Sequence, residues 1–343
     1  MVEITLIKPD DWHLHLRDGA VLRDIVPFTT ARFARAIVMP NLQPPVTKVS
    51  AAVEYRQRIL EAVPAGDRFE PLMTLYLTES TPLSEVEAAA TSGIIKAFKL
   101  YPAGATTNSN AGVKEIKRVY SLLEKMQETG LLLLIHGEVV DSDIDIFDRE
   151  KIFIDRTLSA LVNDFPELKI VFEHITTRDA AQFVRDGSEK LAATLTPQHL
   201  MYNRNSLLVG GIKPHYYCLP VLKREAHRAA LIESIASGSP KFFLGTDSAP
   251  HARHTKENSC GCAGIFSAHA GIELYAEVFE QAGILDKLEG FASCHGPDFY
   301  GLPRNQETIT LRKETWEPPS SYPFAGQALV PLKAEEAIHW RIV

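Results

Sequence analysis

Leu131-Leu132-Leu133-Leu134-Ile135-His136-Gly137-Glu138 is the stretch on which the fold turns. Its unbroken apolar run suits a strand covered on both faces, as in a parallel sheet flanked by helices. The run then stops on histidine, so a titratable side chain stands at the C-terminal end of a buried strand. Outward from it the same design repeats. Upstream lie the alternating apolar–polar stretch Asp11–Gly19 and short apolar strands at Ala34–Asn41, Pro71–Leu77 and Ala97–Pro102; downstream lie Lys169–Ile175, Leu191–Pro197 and Lys241–Asp247. Amphipathic stretches separate them, at Thr47–Ala62, Ser84–Ala90, Val113–Glu128, Asp148–Val162, Asp179–Arg185 (with Thr177 placed to cap it) and Lys223–Ala236.

Eight strands alternating with helices over roughly 250 residues predict an α/β protein, a parallel (β/α)8 TIM barrel. An open doubly wound sheet is the alternative, but its first turn should be glycine-rich, and this one carries histidines. Met1–Lys8 reads as a short extra strand. Thr308–Trp316 and Ala328–Val343 read as C-terminal strands packed on the barrel. One domain over 1–343 is expected, with the barrel over about 9–302 and the extra strands over about 303–343.

The chain has 343 residues, 45% hydrophobic and 23% charged, and a net charge of −7. Such a chain has core enough for one large barrel and no basic footprint for nucleic acid. No apolar run approaches a membrane span, and the N-terminus does not read as a signal peptide. Cys218, Cys260, Cys262 and Cys294 are too few and irregular for a disulfide framework; Cys260-Gly261-Cys262 lacks a second pair at zinc spacing and reads as a loop with free thiols. A cytoplasmic location follows.

In a barrel of this kind the chemistry sits at the C-terminal ends of the strands. Those ends carry His13 and His15, Asn41, Lys99, His136, His174 and Asp247. Strand alternation puts His13 and His15 on one face, with Arg17 next along it, where a guanidinium can hold an anionic substrate. One histidine on an apolar strand is usually a core residue; three strands ending in histidine, with an aspartate, are hard to explain as core. Four imidazoles and a carboxylate suit zinc or a similar borderline divalent ion. Lys99 stands inside an apolar strand. As an ammonium it would repel metal ions. Buried, it readily loses its proton, and the neutral amine can take up carbon dioxide to become a carbamate able to bridge two ions. A salt-bridged lysine is the plainer alternative.

D-x-H-x-H-x-R at Asp11–Arg17 and G-T-D-S-A-P-H-x4-K at Gly245–Lys256 resemble the two signatures of the dihydroorotase family, in the amidohydrolase superfamily. Val38–Asn41, Phe98–Pro102, His136–Glu138 and Phe172–Thr177 support the resemblance, which runs from about Pro9 to Leu302 and fits the shorter, stand-alone class. It implies that His13, His15 and Asp247 bind the more buried of two zinc ions and His136 and His174 the more exposed one. Carboxylated Lys99 and a hydroxide would bridge them. Arg17, Asn41 and His251 would hold the substrate carboxylate, backbone groups of Leu219 and Ala263 the ring amides, and His15 and His136 would also lie against the substrate. Asp247 would move the proton. The implied reaction is the reversible, zinc-dependent cyclisation of N-carbamoyl-L-aspartate to (S)-dihydroorotate and water, the third step of pyrimidine synthesis.

Pro102–Gly112 consists mostly of small and short polar residues, so it has little to bury and is expected to be mobile when the site is empty. The resemblance implies that Thr106 and Thr107 reach the substrate from it as a lid. Two other readings stand beside this one: a hydantoinase- or allantoinase-like cyclic-amide hydrolase, against which Arg17 and Asn41 argue, and a barrel subunit without catalysis, against which the intact ligand set argues. A homodimer is expected from base rate and resemblance.

Overall fold

The computed structural model describes residues 2–343. Eight parallel strands form one sheet in sequence order: β1 (Asp10–Leu14), β2 (Arg35–Val38), β3 (Glu70–Tyr76), β4 (Ile95–Leu100), β5 (Leu132–Ile135), β6 (Ile170–Phe172), β7 (Leu191–Leu195) and β8 (Phe242–Leu244). The ends of the sheet meet just past β1 and β8. Leu14 bridges Ser248 in parallel, His15 N donates to Ser248 O at 2.9 Å, and Asp247 N donates to His13 O at 2.8 Å. The sheet is therefore a nearly closed barrel with helices outside it, the TIM-barrel fold. No helix is long and apolar enough to cross a membrane.

Two layers of apolar packing explain the strand sequences. Trp12, Ile37, Leu72, Ala97, Leu134, Val171, Ala192 and Phe243 fill the lower barrel, while the intervening residues pack outward against helices. Tyr300 closes the floor. It stacks on Trp12 with ring centroids 4.3 Å apart, and a Cβ at Gly296 would lie 1.9 Å from Trp12 Nε1. Only glycine lets the helix His295–Tyr300 seat there.

Several local readings need correction. The stretch Val113–Glu128 is not helical from its start: Val113 bridges Pro102, Glu79 accepts from the backbone N–H groups of Lys114 and Glu115, and the α-helix is Tyr120–Thr129. Asp148–Val162 is helical but passes through a π turn at Ile154–Leu158. Ala328–Val343 is not one strand; Gln327–Leu329 pairs with Tyr322–Phe324, and Ile338–Ile342 with Thr308–Trp316. Thr308–Trp316 also pairs with Glu3–Ile7, so both termini meet in one small antiparallel sheet. The further helix Gly271–Gln281 is buried from Gly271 to Phe279, with Glu273 paired to Arg32 and Glu277 to Lys333.

Candidate active site

Several barrel strands change from apolar to polar as they near the C-terminal mouth. On β4, Ala97 packs inside and Lys99, two residues on, shares its face; Leu134 and His136 relate in the same way. On β1 the pairing register shifts between Asp11 and Leu14, which lets Trp12 join the floor while His13 and His15 still converge at the mouth. Buried Asp11 accepts from Thr246 N at 2.9 Å and from Thr246 Oγ1 at 2.5 Å, tying the first strand to the last.

Three site residues sit in the left-handed region: Arg17 (φ 57°), His174 (φ 43°) and Asp247 (φ 45°). Non-glycine residues are held there only where the surroundings insist, and such strain gathers at functional sites. Here it redirects side chains. Alternation from Val171 points Glu173 inward, and the turn at His174 brings the next side chain in as well. His174 N donates to Thr194 Oγ1 at 2.7 Å, and buried Glu150 accepts from the backbone and hydroxyl groups of Thr176 and Thr177.

The imidazoles cluster, with ring centroids 5.4 Å apart for His13 and His15, 4.9 Å for His13 and His174, and 4.8 Å for His136 and His174. Asp247 Oδ1 lies 3.3 Å from His13 Nε2 and 3.1 Å from His15 Nε2. His13 Nδ1 is 3.0 Å from Glu173 Oε1, yet off the line of a hydrogen bond, so both buried atoms lack a partner, as does His174 Nδ1. Lys99, wholly buried, pairs with the other oxygen of Glu173.

Charge and burial compete in this group. Burial alone would lower the pKa of His13, but the carboxylates of Glu173 and Asp247 raise it to about 9. His15 has no such surplus, and burial pulls it down to about 4. Burial also depresses the Lys99 ammonium, against the pull of Glu173. Burial would raise Asp247, but the His13 charge and hydrogen bonds from His13 and His15 hold it well below the usual carboxylate range. The donor set fits divalent metal. Ligand atoms of His13, His15 and Asp247 lie within 4.8 Å of one another, as do those of His13, Glu173 and His174. Several are buried without partners, a costly arrangement unless a cation takes them.

Around the cluster lies a small cavity of about 20 Å³, lined by Arg17, Asn41, Tyr101, Thr106, Thr107, Leu219, Ala249, Ala263 and Gly264 together with the histidines and Asp247. Arg17 Nε donates to Pro250 O at 3.0 Å and its Nη2 lies 2.8 Å from His251 Nε2. Burial first, then the adjacent Arg17 charge, push His251 down to about 2, leaving it a neutral acceptor. Asn41 lines the same cavity. Its Oδ1 lies 2.8 Å from His15 Nδ1 and its Nδ2 donates to Thr107 O at 3.1 Å, so it links a ligand histidine to the loop above.

That loop has more to bury than its composition suggests. Ser109 is fully buried and Ala105 nearly so; Thr106 N donates to Ser109 Oγ, Asn108 Nδ2 to Asn41 O, and Thr107 Oγ1 to Ala263 O at 3.3 Å. Loops 198–220 and 249–268 contain short helices, Pro197–Met201, Asn205–Leu208 and Arg253–Lys256. Lys256 Nζ clasps them together, donating to Tyr217 O, Cys262 O and Gly264 O at 3.1, 2.8 and 2.5 Å.

Four residues at the site escaped the sequence reading of roles: Glu173, Glu138, Tyr101 and Lys256. The two-residue period pointed to Glu173 from Val171 and to Tyr101 from Lys99. Nothing in the sequence pairs Lys256 with the Tyr217 carbonyl of a distant loop as well as with carbonyls of its own. Cys218, Cys260, Cys262 and Cys294 are free thiols.

An amidohydrolase family model matches residues 1–315 of the chain. A dihydroorotase of Acidovorax sp. (strain JS42) is 62% identical over 340 residues, covering 99% of this chain and 98% of that protein. Among solved structures, the dihydroorotase of Campylobacter jejuni superimposes with a TM-score of 0.91 at 36% identity, covering 99% of this chain and 97% of that one. The Saccharomyces cerevisiae dihydroorotase in complex with 5-fluoroorotic acid gives a TM-score of 0.92 at 34% identity over 99% and 98%.

Proposed function

The chain belongs to the amidohydrolase family and, within it, to the dihydroorotases, and on that premise we infer how its mouth performs the reversible ring closure of N-carbamoyl-L-aspartate to (S)-dihydroorotate. The observation that carries the reading is the meeting of two unlike parts in one cavity. One is the set His13, His15, His136, His174 and Asp247, with Lys99 buried behind it; the other is Arg17, backed by His251. A hydantoinase-like hydrolase would have no use for a guanidinium aimed at the reacting ring, and a barrel without catalysis no use for the unpaired imidazoles.

In this reading His13, His15 and Asp247 would hold one zinc ion and His136 and His174 a second, with Lys99, carboxylated on Nζ, as a further anionic ligand. When bound, such a pair supplies a water acidic enough to attack at neutral pH and a Lewis acid for the ring carbonyl. Glu173 is the present partner of Lys99 and must yield it when the amine becomes a carbamate, since two anions cannot share that buried spot.

The remaining work belongs to the protein. Arg17 and Asn41, with His251 behind Arg17, take the substrate carboxylate and fix the ring over the cluster. Leu219 and Ala263 present backbone groups to the ring amide. Asp247 uses one oxygen on the two histidines; its other oxygen takes the proton of the attacking water and delivers it to the ring nitrogen as the amide C–N bond breaks. Toward ring closure the same oxygen accepts the proton of the ureido nitrogen. Thr106 and Thr107 cover the mouth and keep bulk water out. One domain carries all of this, in a cytoplasmic enzyme that works as a homodimer, the commonest oligomer.

The test is direct. Chain loaded with zinc in the presence of bicarbonate should bind two equivalents and interconvert dihydroorotate and carbamoyl aspartate, with little action on dihydrouracil or hydantoin. Comparable rates on the neutral rings would favour the hydantoinase-like reading, and no turnover by the metal-loaded chain would favour the non-catalytic one.

A further inference from the structure

Glu138 is buried and contacts the site from behind. Its Oε2 lies 2.8 Å from His136 Nε2, while Oε1 has no hydrogen-bond partner. A buried carboxylate with one oxygen unsatisfied destabilises a fold, so its presence calls for a reason other than stability. The backbone around it is fixed. His136 N donates to Leu100 O at 3.0 Å, Val139 N to Arg149 O at 3.3 Å, and a Cβ on Gly137 would lie 2.1 Å from Phe172 Cε2. With no side chain possible between them, His136 and Glu138 are pressed into one pair.

We propose that Glu138 is a positioning residue that locks the ring of His136, holding the proton on Nε2 so that Nδ1 is left as the ligand atom of the metal centre. A carboxylate can only accept, so Nε2 must be the donor and Nδ1 keeps its lone pair. His136 lines the cavity, packs edge-on against His174, and makes no hydrogen bond through Nδ1 among the described residues. Two other histidines follow the same logic: His15 turns Nδ1 onto Asn41 Oδ1 at 2.8 Å, and His13 turns Nδ1 toward Glu173. Ligand histidines commonly fix their orientation through the second nitrogen in this way. Glu138 does so with nothing else to hold.

The inference rests on the binuclear reading, and the experiment separates the two. Parent, Glu138→Ala and Glu138→Gln proteins are stripped with a chelator, reloaded with zinc in bicarbonate buffer, and titrated against a chromophoric chelator. Unfolding of the metal-free chains is followed by circular dichroism. Two equivalents in the parent support the binuclear reading; fewer would overturn that reading whatever the variants do. Glu138→Ala should weaken one equivalent by about 10- to 100-fold and leave the other within about threefold, and Glu138→Gln, which keeps an acceptor oxygen, should lose less. Metal-free Glu138→Ala should melt no lower than the parent. Unchanged affinity in Glu138→Ala, equal losses in both variants, or a lower metal-free melting point would each overturn the positioning role.

Discussion

Arg17→Met isolates the group that distinguishes an acid substrate from a neutral ring. The guanidinium has five N–H donors. One, on Nε, is committed to Pro250 O, and one on Nη2 faces His251, so three remain, enough for a bidentate grip on a carboxylate. Two charge-assisted hydrogen bonds at about 1.5–3 kcal/mol each come to about 3–6 kcal/mol, or roughly 10²- to 10⁴-fold in kcat/KM. Arg17 is half-buried at the cavity, so water screens the loss only in part. Methionine keeps the length and apolar stem of the side chain, and the metal cluster loses only a repelling neighbour. The assay compares parent and variant on dihydroorotate and on dihydrouracil, with metal content measured for both. Dihydroorotate turnover should fall by the full amount, dihydrouracil by less than about tenfold, and metal content should hold. Equal losses on the two substrates would mean that Arg17 merely props the Pro250–His251 turn. Orotate binding gives an independent reading, since its carboxylate should lose affinity in step.

Lys99→Ala should lose most activity and at least one metal equivalent, and short carboxylic acids should restore part of both by standing in for the carbamate; unchanged metal content would exclude the ligand role. Asp247→Asn should keep the fold and some metal but slow both directions by about 10² or more, and near-parental cyclisation would reduce Asp247 to a ligand. Thr106→Val/Thr107→Val should cost at least about tenfold in kcat with metal intact, because each lost hydroxyl removes about 1 kcal/mol. A substrate analogue should slow proteolysis within 103–111 in the parent but not in the double variant; normal turnover without protection would make the loop a connector.

The barrel and its polar mouth are legible in the sequence because both follow short rules. A continuous apolar run means a strand covered on both faces, and a change of residue type at its end marks the mouth. The rules fail where geometry departs from them. Alternation alone would send His174 outward, beside inward Glu173; the left-handed φ of 43° reverses that, and no local composition announces it. Asn41 stands at a strand end, but its link from His15 to the Thr107 carbonyl joins segments that no local pattern connects. In the helix Gly271–Gln281 the glutamate stripe reads as a solvated face, whereas Glu273 and Glu277 are buried against Arg32 and Lys333. Glu138 looks like any polar residue after a strand until its single partner is seen.

Lys256 has a bearing on how this pocket can change over evolutionary time. One ammonium holds carbonyls of Tyr217, Cys262 and Gly264, and Thr107 rests on the adjoining Ala263 carbonyl. Three segments far apart in the chain thus share one clasp and behave as a single interchangeable part. Grafting any one of them alone from a relative with another substrate would strand the ammonium among mismatched acceptors. New specificities in this lineage are therefore expected to arise by coordinated exchange of the whole rim, with the metal-binding strands beneath left as they are.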